Sequence, residues 1–558
     1  MKTKKLIATL LVLAMSVMMF AACGKKEDGT KNNADNGGTT NEEASNNDAY
    51  PGTPGANEIT VNIQSEPPEM FTVTTTDFTS FTVIRHIIEN LVMLDENDEV
   101  IPGVAEDWTV SDDGLTYNFK LREGMKWSNG EPVTAHDFVF AWKTLLNPDI
   151  AAEYAYFGYV FKNGQAFYNG EVGAEELGFK ALGDYELEVT LENPVAYFLS
   201  QLAFGVFAPL NEKAYNEFGD TYGTDADKMV YNGAFNMTSW EHENKIVLEK
   251  NQEYWNADNI QLEKINMVMI NDGNAALNAF KAGEVDVINL NGEQAELMRS
   301  ENYPVHNYED GATFYLEYNL NDPFLQNKNL RKALTLAVDK QAFVTAILKN
   351  SSLPAASLTA PAVNGLNDKF YKEVGDLIPA LDVEKAKEYY AAALEELGVD
   401  TVQLTMIADD SDVAVENAAF IQEQLRVNLG IDLKVENMPF KSRLERMTNK
   451  DFSIVFAGWG PDYNDPMTFL DLWETGNGNN HTSYSSEEYD AILNKIRTEL
   501  DPATRMGYLM DLEGLLAEDM PIGPIYWRVR DYVVSGKIAS GVVRTAFQDM
   551  NFRFVTLK

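Results

Sequence analysis

Between residues 382 and 458 the sequence alternates two kinds of period, and this alternation constrains the fold more than any other feature of the chain. Asp382 is placed to cap a helix that runs to Leu397 and stops at Gly398, with a polar cap and a glycine stop where a helix needs them. TVQLTMIA (401–408) then reads as a buried strand. A second helix ends in RVNLG (426–430), IDLKV (431–435) reads as a strand, FKSRLERM (440–447) as a helix and DFSIVFAG (451–458) as a further strand. Strands alternating with helices imply right-handed crossovers and a largely parallel sheet. Ligands of such sheets sit beyond the carboxyl ends of the strands. There this chain carries GWGPDYNDP (458–466).

The first half reads differently. EITVNI (58–63), LTYNFKL (115–121), YELEVTL (185–191) and KIVLEK (245–250) are strand candidates with few helices between them, so a more antiparallel arrangement is expected in this half. FYLEYN (314–319) is a further strand candidate. With 558 residues the chain has room for two or three lobes. No repeat of 20 to 50 residues and no second low-complexity linker separates them. A net charge of −42 argues against nucleic acid, because the surplus of Lys and Arg that neutralises phosphates is missing.

Cys23 is the single cysteine, which excludes an intramolecular disulfide, a Cys-x-x-Cys redox pair and a thiolate zinc cage by count. Lys2, Lys4 and Lys5 precede an apolar stretch (6–22) that ends in Ala21 and Ala22 directly before Cys23. The stretch reads as a secretory signal peptide, residues 1–22, and is short for a spanning helix, which needs ~20 residues. MFAAC (19–23) resembles a bacterial lipobox, with Phe20 where Leu is usual, so Cys23 is the expected lipid attachment site. Residues 24–56 hold six Gly, six Asn and two Pro and read as a tether. As a flexible coil it would keep the body roughly 30 Å from its anchor. Capture, adhesion or secreted catalysis are the classes such an anchored body leaves open.

Catalytic signatures are missing from the sequence. The five histidines, His86, His136, His242, His306 and His481, form no His-Glu-x-x-His or i, i+4 pair. Gly-x-Ser-x-Gly, Walker A and Gly-x-Gly-x-x-Gly loops do not occur. No catalytic residue, metal or cofactor is therefore assigned. His136 and Asp137 follow Thr134 as a variant capping box, with His136 a solvated side chain, and Asn129-Gly130 reads as a turn.

Residues 89–142, ENLVMLDENDEVIPGVAEDWTVSDDGLTYNFKLREGMKWSNGEPVTAHDFVFAW, resemble the signature of the peptide/nickel class of solute-binding proteins that serve ABC importers. NGAF with a downstream NQEYW (232–255), FKAGEVDV (280–287), NLRKALTLAVDK (329–340) and GWGPDYNDPMTFLDLW (458–473) follow in the same order. The last block is most similar to the oligopeptide binders. The resemblance implies an α/β, two-lobed periplasmic-binding-protein-like fold of type II with an extra domain, its lobes of mixed sheet joined by two hinge crossings. Domain I would take residues 57–88, 229–311 and 530–558, the extra domain II 89–228, and domain III 312–529. It also implies a monomer at the extracellular face of the membrane of a single-membrane bacterium, working with a permease and an ATPase, that closes on an extended oligopeptide and reads its backbone.

By itself Asp462 reads as an Asx-type turn before Asn464. The resemblance instead gives it the ligand's α-amino group, makes Trp459 the wall of a side-chain pocket and sets Tyr154 near the ligand's N-terminus. Ala457, Gly458 and Gly460 let a ligand backbone come close. Tyr315 and Asn480 are further candidates, with core packing equally open for Tyr315. Where some oligopeptide binders carry basic residues for the ligand carboxylate, this chain holds Phe456 and Ala414, and a third position falls near Leu348, beside Lys349. The same fold binding a nickel complex, haem or a signalling peptide stays open, as does a tethered peptidase or adhesin.

Overall fold

The computed structural model describes residues 57–558. The expected leader, Cys23 and the tether lie outside the described residues. Strand β1 (Glu58–Asn62) is followed by helix α1 (Phe78–Ile87), which Asp77 caps by accepting the Ser80 N–H at 2.9 Å. Next come β2 (Ala105–Val110), β3 (Thr116–Leu121), α2 (Ala135–Leu145), β4 (Phe179–Gly183) and β5 (Glu186–Thr190). These strands make an antiparallel sheet in the order β2-β3-β5-β4. Asp137 accepts the Thr134 N–H at 2.7 Å, the capping contact read from the sequence, while His136 stays exposed. Trp142 of α2 is fully buried, stacks on Phe161 at 4.8 Å and donates to the Phe207 carbonyl at 3.0 Å. An indole with its N–H satisfied anchors this core.

The large sheet collects β6 (Phe235–Glu241), β7 (Lys245–Lys250), β8 (Lys264–Val268), β9 (Val287–Leu290) and β10 (Val305–Tyr318). After α3 (Val383–Leu397) it adds β11 (Thr405–Asp409) and, beyond α4 (Asp412–Leu429), β12 (Lys434–Met438). After α5 (Phe440–Thr448) come β13 (Ile454–Trp459) and β14 (Ile522–Val534). The order is β12-β11-β13-β10-β14-β9-β1-β8-β7-β6. β11 pairs parallel with both β12 and β13, as the strand–helix alternation requires. β10 and β14 are the long central pair. Val305–Glu309 of β10 pairs with Val529–Val533 of β14, whose Asp531–Val534 also pairs with β9, and Thr313–Glu317 of β10 lies between Ile522–Trp527 of β14 and Val455–Trp459 of β13.

The ladder between these two strands breaks from Glu309 to Thr313, and Gly311 sits there at φ +73°, a conformation that costs other residues strain. Asp310, 4% exposed, lies in the break and takes the Arg528 Nε at 2.5 Å and the Arg530 Nε at 2.6 Å. One carboxylate thus ties both strands of the crossing.

Two strand starts need correcting, and the mainly antiparallel first half has one exception. β1 pairs parallel with both β8 and β9, so the first half is not uniformly antiparallel. The whole four-stranded sheet is inserted between β1 and its neighbour β8, and no local period reports a partner two hundred residues away. Strand β11 begins at Thr405 rather than Thr401, and β12 at Lys434 rather than Ile431. Val402, Leu404, Ile431 and Leu433 are apolar because they are buried on the approach to the strands, not because they belong to the ladder.

Candidate ligand-binding site

β13 carries the glycine-rich block to the edge of the sheet. Its ladder with β10 runs from Ile454 to Trp459, but the register with β11 covers only Met406–Ile454 and Ile407–Val455. The far edge of Phe456–Trp459 is thus left without a β11 partner, and Gly458 is exposed there. An extended chain laid along that edge could add as a strand. Ala457 is buried in the sheet, and its backbone rather than its methyl faces that edge.

Asp462 follows, only 6% exposed. Its carboxylate accepts the Tyr154 hydroxyl, with both oxygens at 3.2 Å, and its N–H donates to Thr468 Oγ1 at 2.8 Å. The Thr468 carbonyl accepts Trp459 Nε1 at 3.0 Å, so one threonine orients both residues. Burial pushes the Asp462 carboxyl well above the usual carboxylate range; the Tyr154 hydroxyl pulls it back, and Asp471 pushes it further up. Burial, then Asp462, holds the Tyr154 phenol well above its own usual value, which keeps it a donor. The Tyr154 ring lies 6.0 Å from Trp459, 5.5 Å from Phe204 and 6.4 Å from Phe81. Such a buried carboxyl with an aromatic surround favours a cation that can ionise it.

A cavity of about 50 Å³ lined by Phe81, Arg85, Asn90, Phe204 and Arg553 borders Asp462. It has room for only a few waters. Pockets for larger ligands run to ~300–1,000 Å³, so anything of peptide size enters only if the walls part. Gly460 marks where they meet: a Cβ there would lie 2.3 Å from the Phe78 ring, on the first residue of α1.

Tyr154, Trp459, Gly458, Gly460 and Asp462 are thus brought together. Tyr315 and Asn480 have other contacts. Tyr315 is buried, edge-on to Trp473 at 6.3 Å. Asn480 donates to the Glu474 and Tyr484 carbonyls and accepts from Thr482 and the Tyr484 N–H, all within its own loop. Phe456 packs with Phe314 and Phe343, and Ala414 starts α4 under the Ser411 cap. Lys349 pairs with Glu293 at 2.5 Å, and Arg528 with Asp310. Sequence reasoning missed Thr468, which stands inside the recognised block, and Phe78, for which no signal exists at that distance along the chain.

The profile of bacterial extracellular solute-binding proteins, family 5 (middle), matches residues 99–481. The chain belongs to this family. Among solute-binding proteins of family 5, the oligopeptide-binding protein OppA of Bacillus subtilis is 33% identical, with 99% of this chain and 100% of that protein covered. The substrate-binding domain of an oligopeptide ABC transporter from Bacillus anthracis superposes with a TM-score of 0.87 at 35% identity, over 90% of this chain and 99% of that one. Listeria monocytogenes OppA bound to peptide gives 0.86 at 35% identity, over 90% and 99%. The fold is the two-lobed type II binding-protein fold of these family 5 structures. Among the described residues no helix is long and apolar enough to cross a membrane, and no group of three His, Cys, Asp or Glu could hold a metal.

Proposed function

We propose that this chain captures oligopeptides between its lobes, mainly by their backbone, and delivers them without catalysis to the permease of an ABC importer, held at the outer face of the membrane by a lipid on Cys23. The observation that carries the reading is the Tyr154–Asp462 pair at the unpartnered edge of β13, a buried acid next to a place for a strand. The names of the two OppA relatives support the ligand class. The broken ladder between Glu309 and Thr313 supports a hinge there, with domain I, the extra domain II and domain III divided as the sequence suggests. Asp462 holds the ligand ammonium, Trp459 walls a side-chain pocket, and Phe456 and Ala414 leave the ligand carboxylate to solvent.

Mass spectrometry of what the purified protein releases on denaturation tests this. Intact peptides of mixed sequence are expected, and an added peptide mixture should be returned uncut. A nickel complex, haem, or cleaved peptides would replace the reading. Closure itself is tested at Gly460. Overpacking costs ~1–3 kcal/mol, so Gly460→Ala should weaken peptide binding by roughly five- to a hundred-fold. Phe78→Leu in the same chain should recover most of it, as calorimetry would read.

A further inference from the structure

The segment that carries Tyr154 is fastened to the opposite lobe by groups with no part in the site above. His481, 8% exposed, sets Nε2 3.4 Å from Glu153 Oε2 and Nδ1 3.6 Å from Glu317 Oε1. The other Glu153 oxygen accepts the Thr448 hydroxyl at 2.8 Å. At Gly478 a Cβ would lie 2.5 Å from the Glu153 Cα and carbonyl oxygen, so backbone touches backbone there. Glu317 is buried on β10, opposite Val455 and Ile522. A carboxylate faces each ring nitrogen, and the buried Glu317 Oε1 has no hydrogen bond of its own, so the ring protonated on both nitrogens, a cation, is the form both carboxylates favour. Glu153 comes from the loop before Tyr154, and Glu317 from the central strand. Lys450, at the turn after α5, is engaged with Ser483. Glu69 also senses Glu153, though burial is the main reason its carboxyl is raised.

We propose that His481 is a positioning residue: its imidazolium latches the Glu153–Tyr154 segment of domain II onto domain III, so that closure on a ligand brings Tyr154 to Asp462. The inference rests on the reading of that pair as the ligand site. Burial works against the charge, yet the two glutamates outweigh it and push the imidazole up to about 9. An unfolded histidine titrates near ~6.5. The folded value is the raised one, so the latch is fully present at and below that lower pH and is lost as pH rises through about 9. Opening takes Glu153 from the imidazolium but leaves Glu317, and the loss of that one counter-charge shifts the open-to-closed ratio by about tenfold.

The test uses the full chain and free-amine penta-alanine, with dissociation rates measured from pH 7 to 10. Wild type should release slowly and speed up as pH passes about 9. His481→Gln should release about tenfold faster at neutral pH with that rise gone. His481→Lys should restore slow release and move the rise upward, toward lysine's ~10.4. The peptide's own amine, near ~7.7–8.0, titrates alike in all three and cancels. Should His481→Gln fail to fold by circular dichroism, Glu153→Gln replaces it and should move the rise to lower pH. Release from His481→Gln at the wild-type rate, or with the wild-type rise through about 9 undiminished, overturns the latch. If penta-alanine does not bind wild type, the peptide reading suffers and the latch is read without ligand: at pH 7 His481→Gln should show a larger radius of gyration by small-angle scattering, and an unchanged radius overturns it.

Discussion

Acetylating the α-amino group of a peptide ligand is expected to weaken its binding about a hundredfold, the lower end of the ~3–5 kcal/mol that breaking a buried pair costs. The lower end applies because Asp462 is not obliged to stay charged. Burial has already pushed its carboxyl well above the usual range, so without an ammonium it takes up a proton instead of remaining an unpaired anion. The same reasoning gives a second signature. A free-amine peptide should ionise Asp462 and release protons as it binds, which calorimetry in two buffers of different ionisation heat would detect. Asp462→Asn should bind the free-amine peptide as weakly as wild type binds the acetylated one, and release no proton. Amidating the other end should change affinity less than about tenfold, since Lys349 and Arg528 already hold Glu293 and Asp310. Equal tolerance of both caps would remove Asp462 as the ammonium partner, and a large loss on amidation would mean that Lys349 or Arg528 changes partner.

Asp310→Ala should lower stability by ~3–5 kcal/mol, because it leaves Arg528 and Arg530 beside each other without their shared carboxylate. Arg530 is held charged against burial by Tyr308, Asp549 and Asp310 together, so it cannot escape by deprotonating. Denaturant unfolding read by circular dichroism checks the loss. Replacing Asp310, Arg528 and Arg530 together by apolar residues of similar volume should recover most of it, as buried ion triads can be exchanged for packing. A single variant within about 0.5 kcal/mol of wild type would show that Asp310 does not hold the crossing.

What the sequence determined by itself was local. Asp382 caps α3 and Gly398 ends it at φ +68°, Gly430 ends α4 at φ +72°, and α5 falls where its period puts it. These features depend on residues within one or two turns of each other, so a linear reading suffices. The block around Asp462 was legible for the same reason, since its glycines and its acid are neighbours in the chain. Only the tertiary structure decided what meets it. Tyr154 is 308 residues from Asp462, and Glu153 is 328 from His481. Phe78 closes on Gly460, and β1 finds two parallel partners across an inserted sheet. Tyr315 and Asn480 carry the residue types of a binding site, but their surroundings put one against Trp473 and tie the other into its own loop. Side-chain type records what a residue can bond, whereas the partner it bonds is fixed by how distant segments pack, and no period along the chain encodes that.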